Sequence, residues 1–412
     1  MKMKYDKLVL VLNCGSSSLK FSIVHPLEKK VYLSGIAERL YLKNTRLIWS
    51  TFNNSNKKIK NFNEKIDHNE ILNIIKHEIL LKNKKLFKKV GIIGHRVVHG
   101  GRYIKKTVVI NQKIVHHINE ASIFSPLHNP VNLLGINFSL KNFPKLFERN
   151  VAVFDTSFFY SMPKISYLYA IPHNLYHDYG IRRYGAHGTS HKYVCMQASI
   201  FLKKPFRDMN IISCHLGNGS SVAAIRNGIC IDTSMGLTPL EGLVMGTRSG
   251  DIDPSIIFFM YKKLNNTIKE INDVLINKSG LLGLSQKTSD FRDLELNYHS
   301  DKKAKLAIDI FCFRLRKYIS SYFSLMNGKL DVIIFTGGIG ENSSLVRKKS
   351  LKNLSWFGNI FIDHEKNNYS LNLKKNNNIV NISKNSEIPI LIIPTNEEFA
   401  IAEESFNVIF NK

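Results

Sequence analysis

The sequence predicts an α/β fold built from two similar halves. Apolar runs of strand length alternate with segments of helical spacing along the whole chain. A strand, a Gly/Ser-rich turn and a second strand occupy residues 8–24, and the same pattern recurs at residues 210–226. Hairpins are commonplace, so this recurrence is weak support for an internal duplication. The length of 412 residues suits two or three domains of about 150 residues each.

The first half is predicted to begin with three strands, after which helices and strands are interspersed. The predicted strands are Leu8–Leu12, Phe21–Val24, Val31–Ala37, Val90–Ile93 and Val151–Phe154. The predicted helices are Asp67–Leu81, with Asp67 as its N-cap, Ile114–Ser122 and Asn132–Leu140. The Lys-rich residues before Leu8 resemble the start of a signal peptide, but the apolar run after them is shorter than the roughly 7–15 residues required, so we expect a buried strand.

The second half repeats this alternation. Its predicted strands are Asn210–His215, Ser221–Arg226, Asp331–Phe335 and Ile390–Ile393. Its predicted helices are Ser190–Leu202, with Ser190 as N-cap, Pro254–Lys263, Ile268–Asn277, Lys302–Met326 and Asn396–Val408. Residues 359–387 are polar and rich in Lys and Asn, so we expect them to be peripheral.

The charge of the chain is strongly positive, at +26 from 58 Lys and Arg against 32 Asp and Glu. Such a charge raises the question of a nucleic-acid partner. The Lys residues are scattered, however, and occur with Asn and Ile in runs such as 53–63 and 374–381. That pattern indicates compositional drift and a solvated positive surface, so no nucleic-acid partner is expected.

The cysteines and the hydropathy pattern favour a cytoplasmic protein. Five Cys without a C-x-x-C pair fit reduced thiols that act as small buried hydrophobes. No stretch approaches the roughly 20 apolar residues of a membrane span, so no membrane partner is expected.

Two Gly/Ser turns carry the first chemical signal. Consecutive small residues let backbone N–H groups converge on an anion, and both 13–20 and 217–222 have this composition. An ordinary hairpin turn is the alternative for each. Neither turn is a Walker A loop, and 338–343 and 217–222 lack the third Gly of the dinucleotide fingerprint.

Two arginines lie among glycines. Arg96 follows a predicted buried strand, and Arg248 lies in a tight polar loop. A guanidinium binds carboxylate or phosphate through two bonds at once, so the pair suggests a site for an assembly of anions. A structural Arg that caps loop carbonyls is the alternative for each.

Acidic and histidine residues complete the candidate set. Asp155 directly follows a predicted strand, which is where open α/β sheets place ligands. Its role could be that of a metal ligand, a base or a helix cap. His187 and His191 are four residues apart, a spacing that some zinc sites use, but Gly188 disfavours helix there and we place His187 in a loop. Glu397 begins a predicted helix, either as a Mg²⁺ ligand or as an ordinary first-turn acid.

Taken together and in order, these motifs resemble the acetokinase family, the acetate kinases, within the superfamily of sugar kinases, heat-shock ATPases and actin. The matching stretches are Asn13–Lys20, Gly94–Gly101, Pro126–Pro130, Phe154–Thr156, Arg183–His191, His215–Ser221, Asp232–Pro254, Ser279–Arg292, Phe335–Asn342 and Pro394–Glu397.

The resemblance implies two actin-like (ribonuclease H-like) lobes with a duplicated mixed-sheet core and an active-site cleft between them. It implies an N-terminal lobe of residues 1–155 completed by the helix 396–412, and a nucleotide-binding and dimerisation lobe of residues 156–395. The implied reaction is the Mg²⁺-dependent, reversible transfer of the ATP γ-phosphoryl group to acetate, which gives ADP and acetyl phosphate in a homodimer. Mn²⁺ is an alternative to Mg²⁺.

The resemblance also carries residue roles. Asn13 and Glu397 match metal ligands. Asp155 matches the catalytic acid, while His187 and Arg248 match the groups that stabilise the transition state. The positions that match ATP and ADP contacts are Lys20, His215, Leu216, Gly217, Asn218, Gly219, Asp290, Phe291, Arg292, Gly338, Ile339, Gly340, Glu341 and Asn342.

Acetate recognition falls to a smaller set. Arg96 matches the acetate-binding arginine, and the methyl pocket matches Val98, Leu127, Ala186 and Pro239. Many relatives have Phe where Ala186 stands, and a smaller side chain there admits propionate. Phe159-Tyr160 also departs from the His-Gln of many relatives, which bears on lobe packing and not on the chemistry.

The chemistry agrees with these residue types. Acetate is already an anion and a competent nucleophile, so the obstacle is to bring it against a polyanionic triphosphate, and positive groups supply the compensation. Asp155 has no obvious proton to move in a direct transfer and could instead orient Asn13 and Mg²⁺. The alternatives are a propionate or butyrate kinase of the same family and an actin-like ATPase that is not a kinase.

Overall fold

The chain divides into two compact units. The computed structural model describes residues 7–52, 54–354, 360–368, 379–384 and 388–410. Unit 1 comprises Met1–Phe158 with Asn396–Lys412, and unit 2 comprises Phe159–Thr395. The sequence predicts this boundary after residue 155.

Unit 1 is built on a mixed sheet of eight strands. The strands are β1 (Leu8–Cys14), β2 (Ser18–His25), β3 (Lys30–Glu38), β4 (Thr45–Thr51), β5 (Asn54–Phe62), β6 (Val90–Val97), β7 (Val108–Val109) and β8 (Asn150–Phe154). Their order in the sheet is β5-β4-β3-β2-β1-β6-β8-β7. Strands β1, β6 and β8 run parallel to one another, and the other pairs are antiparallel.

Helices cover both faces of this sheet. They are α1 (His68–Ile74), continued by a π-helical turn (Ile75–Leu80), α2 (Lys84–Phe87), α3 (Gln112–Glu120), α4 (Asn129–Asn142) and, from the end of the chain, α16 (Glu397–Phe410). Alternate side chains of β1 and β2, such as Leu10 and Phe21, pack with Ile71 of α1 and Phe138 of α4. Helix α16 packs against β1, β2, β6 and β8, which explains why the last helix belongs to unit 1.

Unit 2 repeats the central sheet of unit 1. Its strands are β9 (Ile211–Leu216), β10 (Ser220–Arg226), β11 (Ile229–Thr233), β12 (Val332–Thr336), β13 (Val380–Asn381) and β14 (Ile390–Ile392). The order β11-β10-β9-β12-β14-β13 reproduces β3-β2-β1-β6-β8-β7, with the same parallel and antiparallel pairs. The predicted α/β fold with a duplicated mixed-sheet core is confirmed.

The helices of unit 2 also pack on both faces. They are α5 (Lys164–Tyr167), α6 (His173–Tyr179), α7 (Gly188–Leu202), α8 (Ser255–Lys263), α9 (Ile268–Asn277), α10 (Gly280–Ser285), α11 (Phe291–Leu296), α12 (Lys302–Ser324), α13 (Gly337–Asn342), α14 (Ser344–Ser350) and α15 (His364–Asn368). Phe311 and Leu315 of α12 join Ile212 and Ile333 of the sheet in one buried core. Helix α7 packs against β9 and β12.

Most predicted elements are present, but several predictions were wrong. The Lys/Asn run at 53–63 contains β5, which pairs with β4 in a hairpin that the pattern did not predict; β5 pairs with one neighbour only, at the sheet edge, where Lys is typical. Helix α7 begins at Gly188, so Ser190 is not its N-cap. Residues 359–387, where described, are not all peripheral, because Asn367 is buried and β13 joins the sheet. The run at 374–381 lies mostly outside the described residues.

No helix in the described part of the chain has both the length and the apolar character needed to cross a membrane.

Candidate active site

The predicted site residues of unit 1 meet at one end of its parallel strands. Asn13 lies near the end of β1, Arg96 near the end of β6, and Asp155 follows the last residue of β8. Glu397 is the first residue of α16. The carboxyl ends of neighbouring parallel strands share one edge of the sheet, which is where open α/β sheets bind ligands.

Arg96 and Asp155 form the centre of this cluster. The Nε and Nη2 atoms of Arg96 donate to Oδ2 of Asp155 at 3.1 and 2.6 Å. The Asp155 side chain is 1% exposed and that of Arg96 is 17% exposed. Burial alone would lower the pKa of Arg96, but the neighbouring carboxylates of Asp155 and Glu397 raise it above its usual value. Both side chains therefore stay in place as a charged, hydrogen-bonded pair.

Oxygen ligands collect beside this pair. Nδ2 of Asn13 lies 3.4 Å from Oε2 of Glu397 and 3.5 Å from Oε1 of Glu398, and Nη1 of Arg96 lies 3.5 Å from Oδ1 of Asn13. Lys20 pairs with Asn13 across the β1–β2 ladder, and its Nζ lies 3.7 Å from Oε1 of Glu398. Lys20 thus lies on β2, beyond the turn in which we predicted it.

The oxygens of this cluster are of the kind that Mg²⁺ prefers. Mg²⁺ usually binds one or two carboxylates, keeps several waters and completes its shell with substrate phosphates. One amide oxygen and the carboxylates of Glu397 and Glu398 match that donor set. Within the described ranges, no group of three or more His, Cys, Asp or Glu side chains forms a metal cage of protein ligands alone.

In unit 2, the second glycine turn brings His187 and Arg248 together. A Cβ added to Gly219 would lie 3.2 Å from Nε2 of His187 and 3.5 Å from Nη2 of Arg248. The turn is tight, with the N–H of Gly217 bonded to the carbonyl of Gly219 at 3.1 Å. Asn218 packs against Gly246, where a Cβ would lie 1.8 Å from its Oδ1. A larger residue at 219 or 246 would therefore displace these groups.

Arg248 is a half-buried cation at this turn. Its Nη1 donates to the carbonyl of Pro239 at 2.8 Å, and no carboxylate in the described ranges forms an ion pair with it. Burial lowers the pKa of Arg248. A guanidinium keeps its charge even so, because its usual pKa is above about 12. The arrangement leaves positive charge for an anionic ligand at the turn.

His187 is held in a left-handed backbone conformation, with φ 61°, immediately before α7. Non-glycine residues adopt this conformation at a cost, and such strain is frequent at functional sites. Nδ1 of His187 lies 3.0 Å from Oγ of Ser221, and its ring lies 4.3 Å from that of His215. Rotation of His187 is therefore restricted from two sides.

The spacing of His187 and His191 reflects a shared serine. Nε2 of His191 lies 2.8 Å from Oγ of Ser221, the hydroxyl that His187 also contacts, and Nδ1 of His191 lies 2.8 Å from Oγ of Ser213. Burial, together with His215, lowers the pKa of His191 well below its usual value, so the ring is neutral. This pattern satisfies both His191 nitrogens without a metal, in agreement with our preference against a zinc pair.

The third glycine segment packs against the end of β9. Gly337 has φ 76°, and a Cβ there would lie 2.7 Å from the carbonyl oxygen of Leu216. Glu341 accepts hydrogen bonds from the N–H groups of Gly337 at 3.0 Å and Thr395 at 3.2 Å. A Cβ at Gly338 would meet nothing within 4 Å, so the space above this residue is open. Ile339 and Leu216 are buried and contribute only backbone to this surface.

Asp290, Phe291 and Arg292 lie at the start of α11. Asp290 caps the helix and accepts from Nη2 of Arg292 at 2.5 Å, a hydrogen bond that lowers the pKa of Asp290. Phe291 packs in the core of unit 2. Glu295 of the same helix accepts from Oγ of Ser343 at 2.7 Å, which joins α11 to the segment after Asn342.

Comparisons with known proteins agree with this geometry. The family model described as the acetokinase family matches residues 8–403. The acetate kinase of Buchnera aphidicola subsp. Schizaphis graminum is 52% identical over 404 residues, which cover 98% of each chain. That of Escherichia coli K12 is 51% identical over 97% of this chain and 98% of its own. The chain belongs to the acetokinase family.

Solved structures of acetokinase-family proteins have the same fold. A propionate kinase from Francisella tularensis superposes with a TM-score of 0.88 at 43% identity and covers 97% of this chain and 98% of its own. The acetate kinase of Porphyromonas gingivalis superposes with a TM-score of 0.86 at 36% identity, over 98% of this chain and all of its own.

The four positions that we predict to line a methyl pocket are divided between the units. In unit 1, Val98 is buried and its N–H donates to Oδ1 of Asn132 at 3.1 Å, while Leu127 is exposed. In unit 2, Ala186 packs with two methionines, and Pro239 supplies the carbonyl that Arg248 contacts. The structure of each unit alone does not bring these four positions together.

Phe159, which we expected to bear on lobe packing, packs inside unit 2 beside the segment of His187. Phe159 is fully buried, with its ring edge-on to His191 at 6.0 Å. It also packs on Gly185, which has a φ of 78°. A Cβ added to Gly185 would lie only 2.5 Å from the Phe159 ring, so this position requires glycine. Phe159 thus supports the segment that carries Ala186 and His187.

Sequence reasoning missed the supporting polar groups. Ser190 contacts Nδ1 of His215 and Oγ1 of Thr395, both at 2.8 Å. Arg347 is fully buried and donates to the carbonyl of Gly340 at 2.7 Å, which holds α13, and burial lowers its pKa to about 10. A lone Ser or Arg has no periodic signal, so only the fold identifies these roles.

Proposed function

We propose that this acetokinase transfers the γ-phosphoryl group of ATP to acetate, with acetyl phosphate and ADP as products, and that it also catalyses the reverse reaction. The observation that carries the proposal is the approach of His187 and the half-buried Arg248 to Gly219 in the second glycine turn. Full-length relatives about half identical to this chain are named acetate kinases, which supports the same activity.

The transfer is a single displacement. A carboxylate oxygen of acetate forms a bond to the γ-phosphorus while the bond from that phosphorus to the bridging oxygen breaks, and ADP leaves with the electron pair. No proton transfer is required, because acetate is an anion at neutral pH. The protein contributes positioning and positive charge, which are the main components of enzymatic phosphoryl transfer.

In this proposal the groups of unit 2 hold the phosphates. The N–H groups of Asn218 and Gly219 in the second glycine turn, and those that follow Gly337 at the start of α13, bind oxygens, as backbone nests do. Arg248 and His187 donate to the equatorial oxygens of the transferring phosphoryl group, where negative charge is concentrated. Their fixed positions mean that little reorganisation is needed when the transition state forms.

The groups of unit 1 hold the metal and the acetate. Asn13 and Glu397 bind Mg²⁺, which neutralises phosphate charge when it is bound, and Mn²⁺ can replace it. Arg96 attracts the acetate carboxylate. Since Nε and Nη2 of Arg96 are bonded to Asp155, Asp155 orients Arg96 and is a positioning residue instead of a proton donor.

Acetate is proposed over propionate as the preferred acid. The alternative is supported by the propionate kinase from Francisella tularensis, at a TM-score of 0.88, and by the small side chain of Ala186. One methylene group changes binding by only about 1–3 kcal/mol, so activity with propionate is expected in either case.

We further propose a cytosolic homodimer. None of the nine residues of α8 is buried, and exposed apolar side chains extend from it to the start of α9, namely Ile256, Phe258, Phe259, Tyr261, Leu264 and Ile268. A second copy would remove this patch from water, and large exposed patches are typical of interaction sites. All five cysteines are buried free thiols, as in a reducing compartment.

The test is the formation of acyl phosphate, trapped as hydroxamate, from ATP with acetate, propionate and butyrate. We expect acetate to be used best, with activity lost on chelation of Mg²⁺ by EDTA and restored by Mg²⁺ or Mn²⁺. Equal or better use of propionate would assign a propionate kinase. ATP hydrolysis without acyl phosphate for any acid would contradict the proposal and favour an actin-like ATPase.

A further inference from the structure

The first glycine turn of unit 1 is held from inside by two side chains. The carbonyl of Cys14 accepts from Nδ2 of Asn132 at 2.7 Å, and the carbonyl of Gly15 lies 2.9 Å from Nε2 of His68. Asn132 is on α4 and His68 is the first residue of α1, so two separate helices reach the same turn. Both side chains are buried.

These bonds determine which way the turn presents its N–H groups. In a trans peptide unit the C=O and the N–H point in opposite directions, and the described residues contain no cis peptide bond. When the Gly15 carbonyl points inward to His68, the N–H of Ser16 points outward. Ser16 and Ser17 are the exposed residues of this turn.

The surroundings of His68 determine its tautomer. A carbonyl oxygen only accepts, so Nε2 of His68 carries the proton, and Nδ1 then accepts from the hydroxyl of Tyr41 at 2.9 Å. The Tyr41 ring also lies 5.3 Å from the imidazole. A capping box between Asp67 and Glu70 fixes the start of α1, and with it the position of His68.

We propose that His68 is a positioning residue that orients the Cys14–Ser18 turn so that its N–H groups bind the phosphates of ATP. The proposal rests on the proposed function and adds the Cys14–Ser18 turn of unit 1 to the phosphate-binding segments given there. His68 does not touch the substrate in this proposal, and it acts through the backbone of the turn, chiefly the Gly15 carbonyl. Asn132 acts on the neighbouring carbonyl and also on the N–H of Val98, so it connects the turn to the segment after Arg96.

The experiment compares His68→Leu with His68→Gln. Leu removes the donor and leaves a buried carbonyl without a partner, whereas the amide nitrogen of Gln can replace Nε2. We expect kcat/KM for ATP to fall by about 10- to 100-fold in His68→Leu and to recover to within about 3-fold of wild type in His68→Gln. The KM for acetate should stay within about 2-fold of wild type in both.

Two further variants separate orientation from stability. Ile71→Ala removes a buried side chain from the same helix without touching the turn, so it should lower the melting temperature but leave kcat/KM for ATP within about 2-fold. Tyr41→Phe removes the bond to Nδ1 and should lower kcat/KM for ATP by about 2- to 5-fold in a folded protein.

Equal kcat/KM values for ATP in His68→Leu and Ile71→Ala would overturn the proposal, as would a folded His68→Gln that is no better than His68→Leu. Should His68→Leu not fold, Tyr41→Phe decides the question. A fall of about 2- to 5-fold in its kcat/KM for ATP would support the proposal, and unchanged kinetics would contradict it. Failure of the proposed function is recognised separately, because the wild-type enzyme would then form no acetyl phosphate.

Discussion

Replacement of Asp155 by Asn tests whether this carboxylate positions Arg96 or transfers a proton. Oδ2 of Asp155 accepts from Nε and Nη2 of Arg96 at 3.1 and 2.6 Å, and its side chain is 1% exposed. Asn keeps one acceptor oxygen at nearly the same place but loses the charge, and its NH₂ group cannot accept from Arg96. The change therefore loosens Arg96 without removing it.

The size of the effect follows from those two bonds. A hydrogen bond to a charged group contributes about 1.5–3 kcal/mol, and the substitution weakens both bonds while preserving part of one. A net loss of about 1.5–3 kcal/mol corresponds to a fall of about 10- to 150-fold in kcat/KM for acetate. Most of it should be a higher KM for acetate, because Arg96 attracts the carboxylate in this proposal.

The assay is hydroxamate formation over a range of acetate concentrations at saturating Mg·ATP, repeated across the pH range in which wild type is stable. Asp178→Asn is the control, because this exposed carboxylate contacts His177 on the surface of unit 2. Circular dichroism confirms folding, since breaking a buried ion pair can cost about 3–5 kcal/mol.

A fall in kcat above about 10⁴-fold with unchanged KM for acetate, together with the loss of one limb of the pH profile, would refute positioning and assign proton transfer to Asp155. Wild-type kinetics in a folded Asp155→Asn would refute any role through Arg96.

Four further predictions concern other groups. Arg248→Ala should lower turnover by about 10²- to 10³-fold. Arg248→Lys should restore little of it, because a point charge cannot replace the guanidinium fork. Near-normal turnover in Arg248→Ala would show that Arg248 is not part of the site. Ala186→Phe should lower kcat/KM for propionate relative to acetate by about 10- to 200-fold. An unchanged ratio would show that residue 186 does not face the acid. Burial lowers the pKa of His95 from 6.5 to about 4, so its contribution to stability is complete above pH 6.5 and is lost as the pH falls towards 4. His95→Gln should reduce the pH slope of the unfolding free energy there by up to about 1.4 kcal/mol per pH unit in urea titrations, and an unchanged slope would contradict this. Phe258→Asp should yield a monomer by light scattering, whereas a stable dimer would move the interface away from α8.

The sequence by itself determined the order of the strands and helices and the residue types of the site. Buried strands such as β1 and β12 begin as continuous apolar runs, and the glycine-containing segments after them have a composition that is visible locally. The helix α9 has the predicted bounds, because its capping box and apolar spacing are both local signals. The ordered motifs also identified the family, which the comparisons confirm.

The β4–β5 hairpin was not predicted because β5 reads Asn-Ser-Asn-Lys-Lys-Ile-Lys-Asn-Phe, which is almost entirely polar. An edge strand needs few apolar residues, since pairing with β4 supplies its hydrogen bonds. The π-helical turn Ile75–Leu80 also escaped prediction, because the apolar spacing through 67–81 suits one continuous α-helix. In both cases pairing or packing with distant residues outweighs the local pattern.

Only the tertiary structure decided what each site residue touches. From the residues alone, Asp155 was open between a metal ligand, a base and a helix cap until the fold placed it against Arg96, 59 positions away in the chain. His191 was a possible zinc ligand until Ser213 and Ser221 were found to satisfy both of its nitrogens. His68 carried no signal beyond its place at a helix start. Hydrogen bonds between residues far apart in sequence have no periodicity, so the sequence specifies the groups while the fold specifies their partners.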